Sequence, residues 1–200
     1  MMTRRLTQLY LGLLLYGFSM ALMIRADLGL NPWEVFHQGA AERTGWSFGT
    51  VVIVTGALVL LLWAPLRQKP GIGTISNIFV IGLAADASLW LVPDGLPLPV
   101  RISFLLGGIL LNGIAGAAYI GAGLGPGPRD GLMTGLAART GWPIRGVRTG
   151  IELVVLAAGW LMGGTAGLGT ILYAVAIGPI VQSMLPIFTI REPARATSRC

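Results

Sequence analysis

The chain has 200 residues, of which 54% are apolar and only 11% are charged, and its formal net charge is +6. Because a soluble domain carries about 25% charged residues, this composition excludes an ordinary water-soluble protein. It predicts an all-α polytopic membrane protein, in which the 30 glycines allow helices to pack closely. The excess of basic residues is typical of cations retained on the cytoplasmic side, and no basic–aromatic motif indicates binding of nucleic acid.

The first 92 residues contain three apolar runs that are long enough to cross a bilayer as helices. The opening "MMTRR" is typical of a secretory signal, but the apolar run after it is too long and no A-x-A cleavage site follows. We therefore expect the first run to be a retained span. The predicted spans are 6–24, 47–66 and 73–92, with a short helix at 32–43 between the first two.

The short helix has its own start signals. Asn31 is a good N-cap, Pro32 suits the first helical position, and Glu34 fits a capping box. About twelve helical residues extend over about 18 Å, which is too short for the bilayer. We therefore expect this helix to be either re-entrant or interfacial.

The second half of the chain repeats the first. Residues 5–92 align without a gap on residues 101–188, with 28 identities in 88 positions. The motif "RTGW" at 43–46 recurs at 139–142, where its glycine suits a helix C-cap and its tryptophan suits the membrane interface. We predict a single transmembrane domain with repeats at 5–92 and 101–188, a linker at 93–100 and a short cytoplasmic tail at 191–200. The elements of the second repeat are spans at 102–122, 146–163 and 168–190 and a short helix at 128–139.

An odd number of spans in each repeat turns the second repeat upside down relative to the first, which is the plan of many secondary transporters. With the N-terminus in the cytoplasm, eleven Lys and Arg side chains lie in cytoplasmic segments and three in external segments. This distribution satisfies the positive-inside rule. We therefore expect six spans in two inverted repeats in the cytoplasmic membrane of the cell, with both termini cytoplasmic.

The N-terminal ends of the two short helices form the predicted substrate site. If both helices are re-entrant, their free N–H groups meet near the membrane midplane and suit an anionic group. One alternative is that the acids are helix caps only, and another is that the first helix lies on the surface with its tryptophan toward lipid. The proposed substrate-binding residues are Asn31, Trp33, Glu34, Gly127, Arg129 and Asp130.

Two further acids are candidates for proton or ion coupling. Glu152 lies in the second span of the second repeat, and Asp86 lies deep in the third span of the first. An acid inside a span is costly and normally faces a cavity or a partner. The alternatives are an ion pair between Glu152 and Arg148 and a helix–helix hydrogen bond for Asp86. We expect His37 to lie on a polar helix face.

At "ADLGLNPWEVF" and "GLGPGPRDGL" the chain resembles the bacterial YczE/YyaS/YitT group of small membrane proteins. The likeness covers most of residues 5–190, and the spaced "LG-x-x-P" followed by an acid is its most specific feature. The resemblance implies an integral membrane protein, for which transport is the usual suggestion. It implies no particular substrate or catalytic residue.

These observations favour a secondary transporter or exporter of a small polar or anionic solute that works by alternating access. The alternative is a non-transporting membrane scaffold or accessory subunit, which a dry interior would indicate instead of a solvent-reached cavity. We expect no enzymatic activity, cofactor or metal site, because no nucleophile–base pair, H-E-x-x-H motif, phosphate loop or Cys/His cluster occurs. The expected partners are the lipid bilayer and a small solute, and the glycine-rich spans permit a homodimer.

Overall fold

A computed structural model describes residues 2–190, so the predicted tail at 191–200 lies outside the described part of the chain. The described residues form helices joined by short loops and contain no β-strand, which confirms the predicted all-α fold. The helices are α1 (Met2–Ala26), α2 (Pro32–Thr44), α3 (Phe48–Leu61), α4 (Trp63–Leu66), α5 (Ile72–Leu91), α6 (Leu98–Gly121), α7 (Pro128–Thr140), α8 (Ile144–Leu161) and α9 (Leu168–Phe188).

Five helical stretches of the described chain are long and apolar enough to cross a membrane. They are Met2–Ala26, Phe48–Leu66, Ile72–Leu91, Leu98–Gly121 and Leu168–Phe188. The sixth predicted span corresponds to α8, which has 18 residues and carries the charged side chains Arg145, Arg148 and Glu152. The protein is therefore a multi-pass membrane protein, and α8 differs from the other long helices because of its charge.

Apart from the short α4, the two halves of the chain contain the same succession of helices. α1, α2, α3 and α5 each begin 96 residues before α6, α7, α8 and α9, as Pro32 and Pro128 illustrate. The short helices α2 and α7 agree most closely, because each has 13 residues and ends at a glycine with a left-handed φ of 72°. The duplicated sequence thus folds into duplicated local structure.

α1 and α6 form the centre of the bundle, and they approach closely because glycines face the partner helix. A Cβ at Gly12 would lie 3.0 Å from the backbone nitrogen of Tyr119, and one at Gly108 would meet a side chain of α1 at 2.6 Å. α5 packs against α1 at Gly17, and α9 packs against α6 at Gly113. One packing arrangement is therefore repeated on both sides of the central pair.

Each short helix packs against the second long helix of the other half. α2 contacts α8, where Gly39 and Gly159 allow the two backbones to meet. α7 contacts α3 and α4, and its Gly131 lies directly against the ring of Trp63. The Trp63 indole is buried and donates a hydrogen bond to the Pro128 carbonyl oxygen at 2.9 Å. α2 and α7 therefore lie between the two halves of the protein.

The loops before the short helices also cross between the halves. The glycine of the "LG" pair in each loop has a positive φ, 115° in the first and 125° in the second, which favours glycine. The Leu28 carbonyl accepts from the Gly169 amide of α9, and the Leu124 carbonyl accepts from the Gly73 amide of α5, both at 2.8 Å. Each half thus supplies an acceptor for the start of the other half's last helix.

The two "RTGW" motifs fix the ends of the short helices with identical bonds. Thr44 and Thr140 each donate to a carbonyl of their own helix at 2.8 Å, and each accepts from the amide of the following tryptophan at 3.3 Å. The arginines of both motifs donate to carbonyl oxygens in the other half, Met162 at 3.2 Å and Pro65 at 2.6 Å. The motif therefore ends a helix and also ties the halves together.

Candidate functional site

A cavity of about 130 Å³ lies between the two halves, where the N-terminal ends of α2 and α7 approach each other. Two of the eight residues proposed from the sequence do not line this cavity: Glu34 is hydrogen-bonded to Asn31 in the cavity wall, and Asp86 lies elsewhere. Within residues 2–190 no cluster of three or more His, Cys, Asp or Glu side chains offers a metal site. Six of the eight residues proposed from the sequence line the cavity: Asn31, Trp33, Gly127, Arg129, Asp130 and Glu152.

The N-cap of α2 holds the Glu34 side chain. Asn31 Oδ1 accepts from the Glu34 amide at 3.0 Å, and Asn31 Nδ2 donates to Glu34 Oε1 at 2.5 Å. The predicted N-cap is confirmed, whereas Glu34 binds the side chain of the cap residue and not its backbone amide as in a capping box. Glu34 is fully buried, and its Oε2 has no partner among the described residues. Burial raises the pKa of Glu34 to about 8, against the opposing effects of Arg129 and Asn31.

The N-terminal end of α7 differs from that of α2, because its N-cap is Gly127 and offers no side chain. Asp130 accepts a hydrogen bond from the Tyr119 hydroxyl at 3.1 Å. The Arg129 guanidinium lies 4.8 Å from the centre of the Trp33 ring. Within the described chain, Arg129 forms no hydrogen bond or ion pair. A cation from α7 and an aromatic face from α2 thus meet at the cavity.

α8 contributes a partly exposed ion pair to the cavity wall. Glu152 Oε1 accepts from Arg148 Nε at 2.9 Å, and the side chains are 31% and 58% exposed respectively. Both residues line the cavity. The ion pair foreseen for Glu152 is therefore present, and it occupies a position that also faces the cavity.

Three tyrosines complete the cavity wall, and they were not predicted from the sequence. Tyr16 and Tyr119 meet edge to face with ring centres 6.1 Å apart, and the Tyr173 hydroxyl donates to Asn112 at 2.8 Å. One signal could have found them. Tyr16 aligns with Asn112 in the repeat, and Tyr173 aligns with Asn77, so both aligned pairs combine a tyrosine with an asparagine.

Four side chains in the first half of α2 are buried in protein, unlike those of a helix on the membrane surface: Trp33, Glu34, Val35 and His37. Trp33 is 7% exposed and His37 is 1% exposed. The His37 ring packs edge-on against Phe48 with ring centres 5.9 Å apart. The expected polar-face position of His37 is wrong, and so is the alternative with Trp33 toward lipid, because α3 and α8 cover this helix. Trp33 Nε1 and His37 Nδ1 have no partner within residues 2–190.

Asp86 binds the start of α3 and does not reach the cavity. Its carboxylate accepts from the Ser47 hydroxyl at 2.5 Å and from the Gly49 amide at 2.6 Å. These bonds join the C-terminal half of α5 to the N-terminal end of α3. The helix–helix hydrogen bond foreseen for Asp86 is therefore present.

The fold and the cavity define a class of protein, a multi-pass helical membrane protein with a cavity between two similar halves that is lined by apolar, aromatic and charged side chains. Within that class, the chain belongs to the family of unknown function DUF6198, whose sequence profile matches residues 3–186. No solved structure matches the chain significantly.

Several relatives are similar over most of their length. The chain is 39% identical over 179 residues to an uncharacterized protein of Haemophilus influenzae, covering 90% of this chain and 82% of the relative. It is 36% identical over 184 residues to the uncharacterized membrane protein YczE of Bacillus subtilis, covering 91% and 86%. It is 26% identical over 184 residues to the uncharacterized protein YyaS of the same organism, covering 88% and 90%. These relatives confirm the YczE-type resemblance.

Proposed function

We propose that the protein is a secondary carrier of a small polar, preferentially anionic solute, and that its halves are inverted repeats giving alternating access to the cavity. One observation carries the proposal: the cavity is closed at one pair of equivalent helices and open at the other. In a carrier the two pairs exchange these states as the solute crosses the membrane. A polar cavity that solvent reaches favours this function over a membrane scaffold with a dry interior.

The closed gate consists of α3 and α5 at Ser47, Gly49, Gly82 and Asp86. A Cβ at Gly82 would lie 2.6 Å from the Gly49 carbonyl oxygen, so the two backbones are in contact. Asp86 fixes this contact through its bonds to Ser47 and Gly49. A solute cannot pass between helices that are packed this closely.

The open gate consists of α8 and α9 at the equivalent residues, which are Pro143, Arg145, Gly178 and Gln182. Nothing lies within 4 Å of a Cβ built at Gly178. Gln182 is exposed and forms no side-chain hydrogen bond within the described part of the chain. Since Arg148 and Glu152 line the cavity beside this gap, solvent reaches the cavity near the N-terminal end of α8.

The proposed topology counts α8 as the sixth span. Its residues Arg148 and Glu152 pair with each other and line the cavity, which is the usual setting for charges inside a span. With the N-terminus of the chain in the cytoplasm of a bacterial cell, the N-terminal end of α8 is also cytoplasmic. The open gate then faces the cytoplasm, so we assign the described conformation to the inward-open state.

Disulfide cross-linking of the two gates tests alternating access. In a Cys200→Ser background, Ser47→Cys with Asp86→Cys places two thiols at the closed gate. Pro143→Cys with Gln182→Cys places two thiols at the open gate. We expect both pairs to cross-link in oxidised membranes, the first in the described state and the second in the opposite state.

The four single-cysteine variants are the controls, because none of them can form an intramolecular disulfide. We also expect each cross-link to stop the exchange of states and reduction of the disulfide to restore it. If only the first pair cross-links, under every condition of time and oxidant, the protein has one fixed state. The scaffold or accessory-subunit function would then replace the carrier.

A further inference from the structure

The charges around the cavity leave one cation without a counter-ion. Arg148 is paired with Glu152, and Asp130 is bonded to a tyrosine hydroxyl. Arg129 lies over the face of Trp33 and bonds no acceptor within residues 2–190. A guanidinium over an aromatic ring still has its in-plane N–H donors, which form a planar fork. The cavity therefore presents one unused set of charged donors.

Other donors near Arg129 also lack acceptors. The Trp33 indole N–H is buried and unpartnered, although Trp33 lines the cavity. His37 Nδ1, which is a donor or an acceptor according to the tautomer, is also unpartnered in the same part of the wall. The N-terminal end of α7 has no side-chain cap. Because buried polar groups are normally hydrogen-bonded, this cluster indicates a ligand with acceptor atoms, and the positive helix end favours an anion.

The acidic side chains of the cavity limit the charge of that anion. Asp130 and Glu152 both line the cavity, so a dianion such as phosphate would meet two carboxylates. A carboxylate carries one charge and fits the fork of a guanidinium with two parallel hydrogen bonds. Trp33 and the three tyrosines offer an aromatic wall for an apolar body. The cavity is therefore best suited to a small monocarboxylate.

Glu34 is positioned to respond to an anion at Arg129. Its carboxyl is fully buried, bonds Asn31 and leaves Oε2 without a partner in the described chain. If Glu34 were ionised, it would offset the charge of Arg129 and oppose a second carboxylate. α3 supplies no titratable side chain over Phe48–Leu61. The titratable groups that interact with Glu34 from the surrounding helices are Arg129 of α7, Tyr16 of α1 and Tyr173 of α9. His37 of its own helix and the Arg148–Glu152 pair of α8 line the neighbouring cavity.

We propose that Arg129 and Trp33 bind the carboxylate of a small monocarboxylic acid, and that this anion binds together with one proton on Glu34. The inference rests on the proposed function and names its substrate class and its coupling ion. It moves the coupling role from Glu152 and Asp86 to Glu34. The bound anion cancels the field of Arg129, and this cancellation favours the protonated form of Glu34. Protonated Glu34 favours binding of the anion in return.

Binding of simple carboxylates to the purified full-length protein in detergent tests the proposal. The probes are the sodium salts of acetate, lactate and benzoate, with benzamide as the neutral counterpart of benzoate and sulfate as the dianion. Binding is followed by the rise in unfolding temperature and by isothermal titration calorimetry. We expect at least one carboxylate to bind, and neither benzamide nor sulfate to do so.

Two variants separate the roles of Arg129 and Glu34. Arg129→Gln is expected to weaken carboxylate binding at least about tenfold, whereas the exposed Arg4→Gln leaves it unchanged. In the natural chain, binding is expected to be about tenfold weaker at pH 9 than at pH 7, because Glu34 loses its proton over this range. Glu34→Gln keeps the hydrogen bond from its backbone amide to Asn31 and mimics the neutral acid. Carboxylate binding to this variant is therefore expected to be independent of pH. Glu42→Gln, an exposed acid of the same helix, retains the pH dependence.

Three results would overturn the proposal: no carboxylate binds, Arg129→Gln binds as tightly as the natural chain, or Glu34→Gln keeps the pH dependence. If Arg129→Gln fails to fold, Trp33→Phe replaces it, since phenylalanine keeps an aromatic face beside Arg129 and lacks the unpartnered N–H. Failure of the substrate class and failure of the carrier are distinguishable. If the gates cross-link alternately but no carboxylate binds, the substrate class alone is rejected. If a carboxylate binds but the open gate never cross-links, the carrier alone is rejected.

Discussion

Gly131 of α7 and Gly150 of α8 show how differently one residue type is used in neighbouring helices. Any side chain at Gly131 would overlap the ring of buried Trp63, whereas nothing lies within 4 Å of a Cβ at Gly150. Trp63 also holds the start of α7 through its bond to the Pro128 carbonyl, at the edge of the cavity. The position of Arg129, the next residue, therefore depends on the absence of a side chain at Gly131.

We expect Gly131→Ala to lower the free energy of unfolding by about 1–3 kcal/mol, because overpacking displaces either Trp63 or α7. Gly150→Ala is the matched control, and helix propensity predicts a gain of up to about 1 kcal/mol at this open helical position. Thermal unfolding in detergent, followed by tryptophan fluorescence, compares the two variants. Equal unfolding temperatures would contradict the contact between Gly131 and Trp63.

At the scale of helices, the two gates are equivalent in position but not in sequence. Gly49 and Asp86 of the closed gate correspond to Arg145 and Gln182 of the open gate. Backbone contact between α3 and α5 requires the glycine, so α8 and α9 cannot close in the same way. The two end states of the proposed cycle consequently differ in stability, and Asp86 is the side chain that holds the described one.

Replacing Asp86 is expected to loosen the closed gate. Each hydrogen bond to a charged carboxylate contributes about 1.5–3 kcal/mol, so loss of both favours opening by tenfold or more, at about 1.4 kcal/mol for each factor of ten. In a Cys200→Ser background, Thr55→Cys places a reporter thiol in the cavity wall. An impermeant maleimide added outside should label this thiol about tenfold faster in Asp86→Ala than in the parent.

Asp94→Ala is the control for this measurement, because Asp94 is an exposed acid whose ion pair with Arg25 lies outside the gate. Unchanged labelling of Thr55→Cys in the Asp86→Ala variant would mean that Asp86 only stabilises the start of α3. The gate would then have to be sought elsewhere between α3 and α5.

The limits of the short helices were predictable because their signals act locally. Asn31, Pro32 and Gly45 fix α2 without help from the rest of the molecule, and the observed helix ends one residue beyond the predicted one. The residues that meet in the cavity were predictable only where the repeat or a charge marked them, as at Arg129. Tyr119 was missed because its repeat partner is a methionine and an aromatic residue in an apolar span is not distinctive. The role of Asp86 depends on which helices touch, and a single sequence does not state this.

For the whole molecule, the inverted arrangement makes a simple prediction about sidedness. Thr44 and Thr140 occupy equivalent places and have equivalent bonds. In inverted repeats they lie on opposite faces of the membrane. Thr44→Cys should react with an impermeant maleimide added to intact cells, and Thr140→Cys only after the cells are permeabilised. Labelling of both from the same side would reject the inverted topology and the carrier mechanism with it.

The crossed loops have a consequence for how the chain is made. When the first half leaves the ribosome, the Gly73 amide at the start of α5 still lacks its acceptor, since Leu124 follows 51 residues later in synthesis (124 − 73). A buried amide without an acceptor is costly, so we expect the first half to reach its final structure only after Leu124 has been synthesised. Insertion of the later helices therefore completes the hydrogen bonding of the earlier ones. The last step of folding is the docking of two halves that each supply an acceptor to the other, and not the addition of a second independent unit to a finished first one.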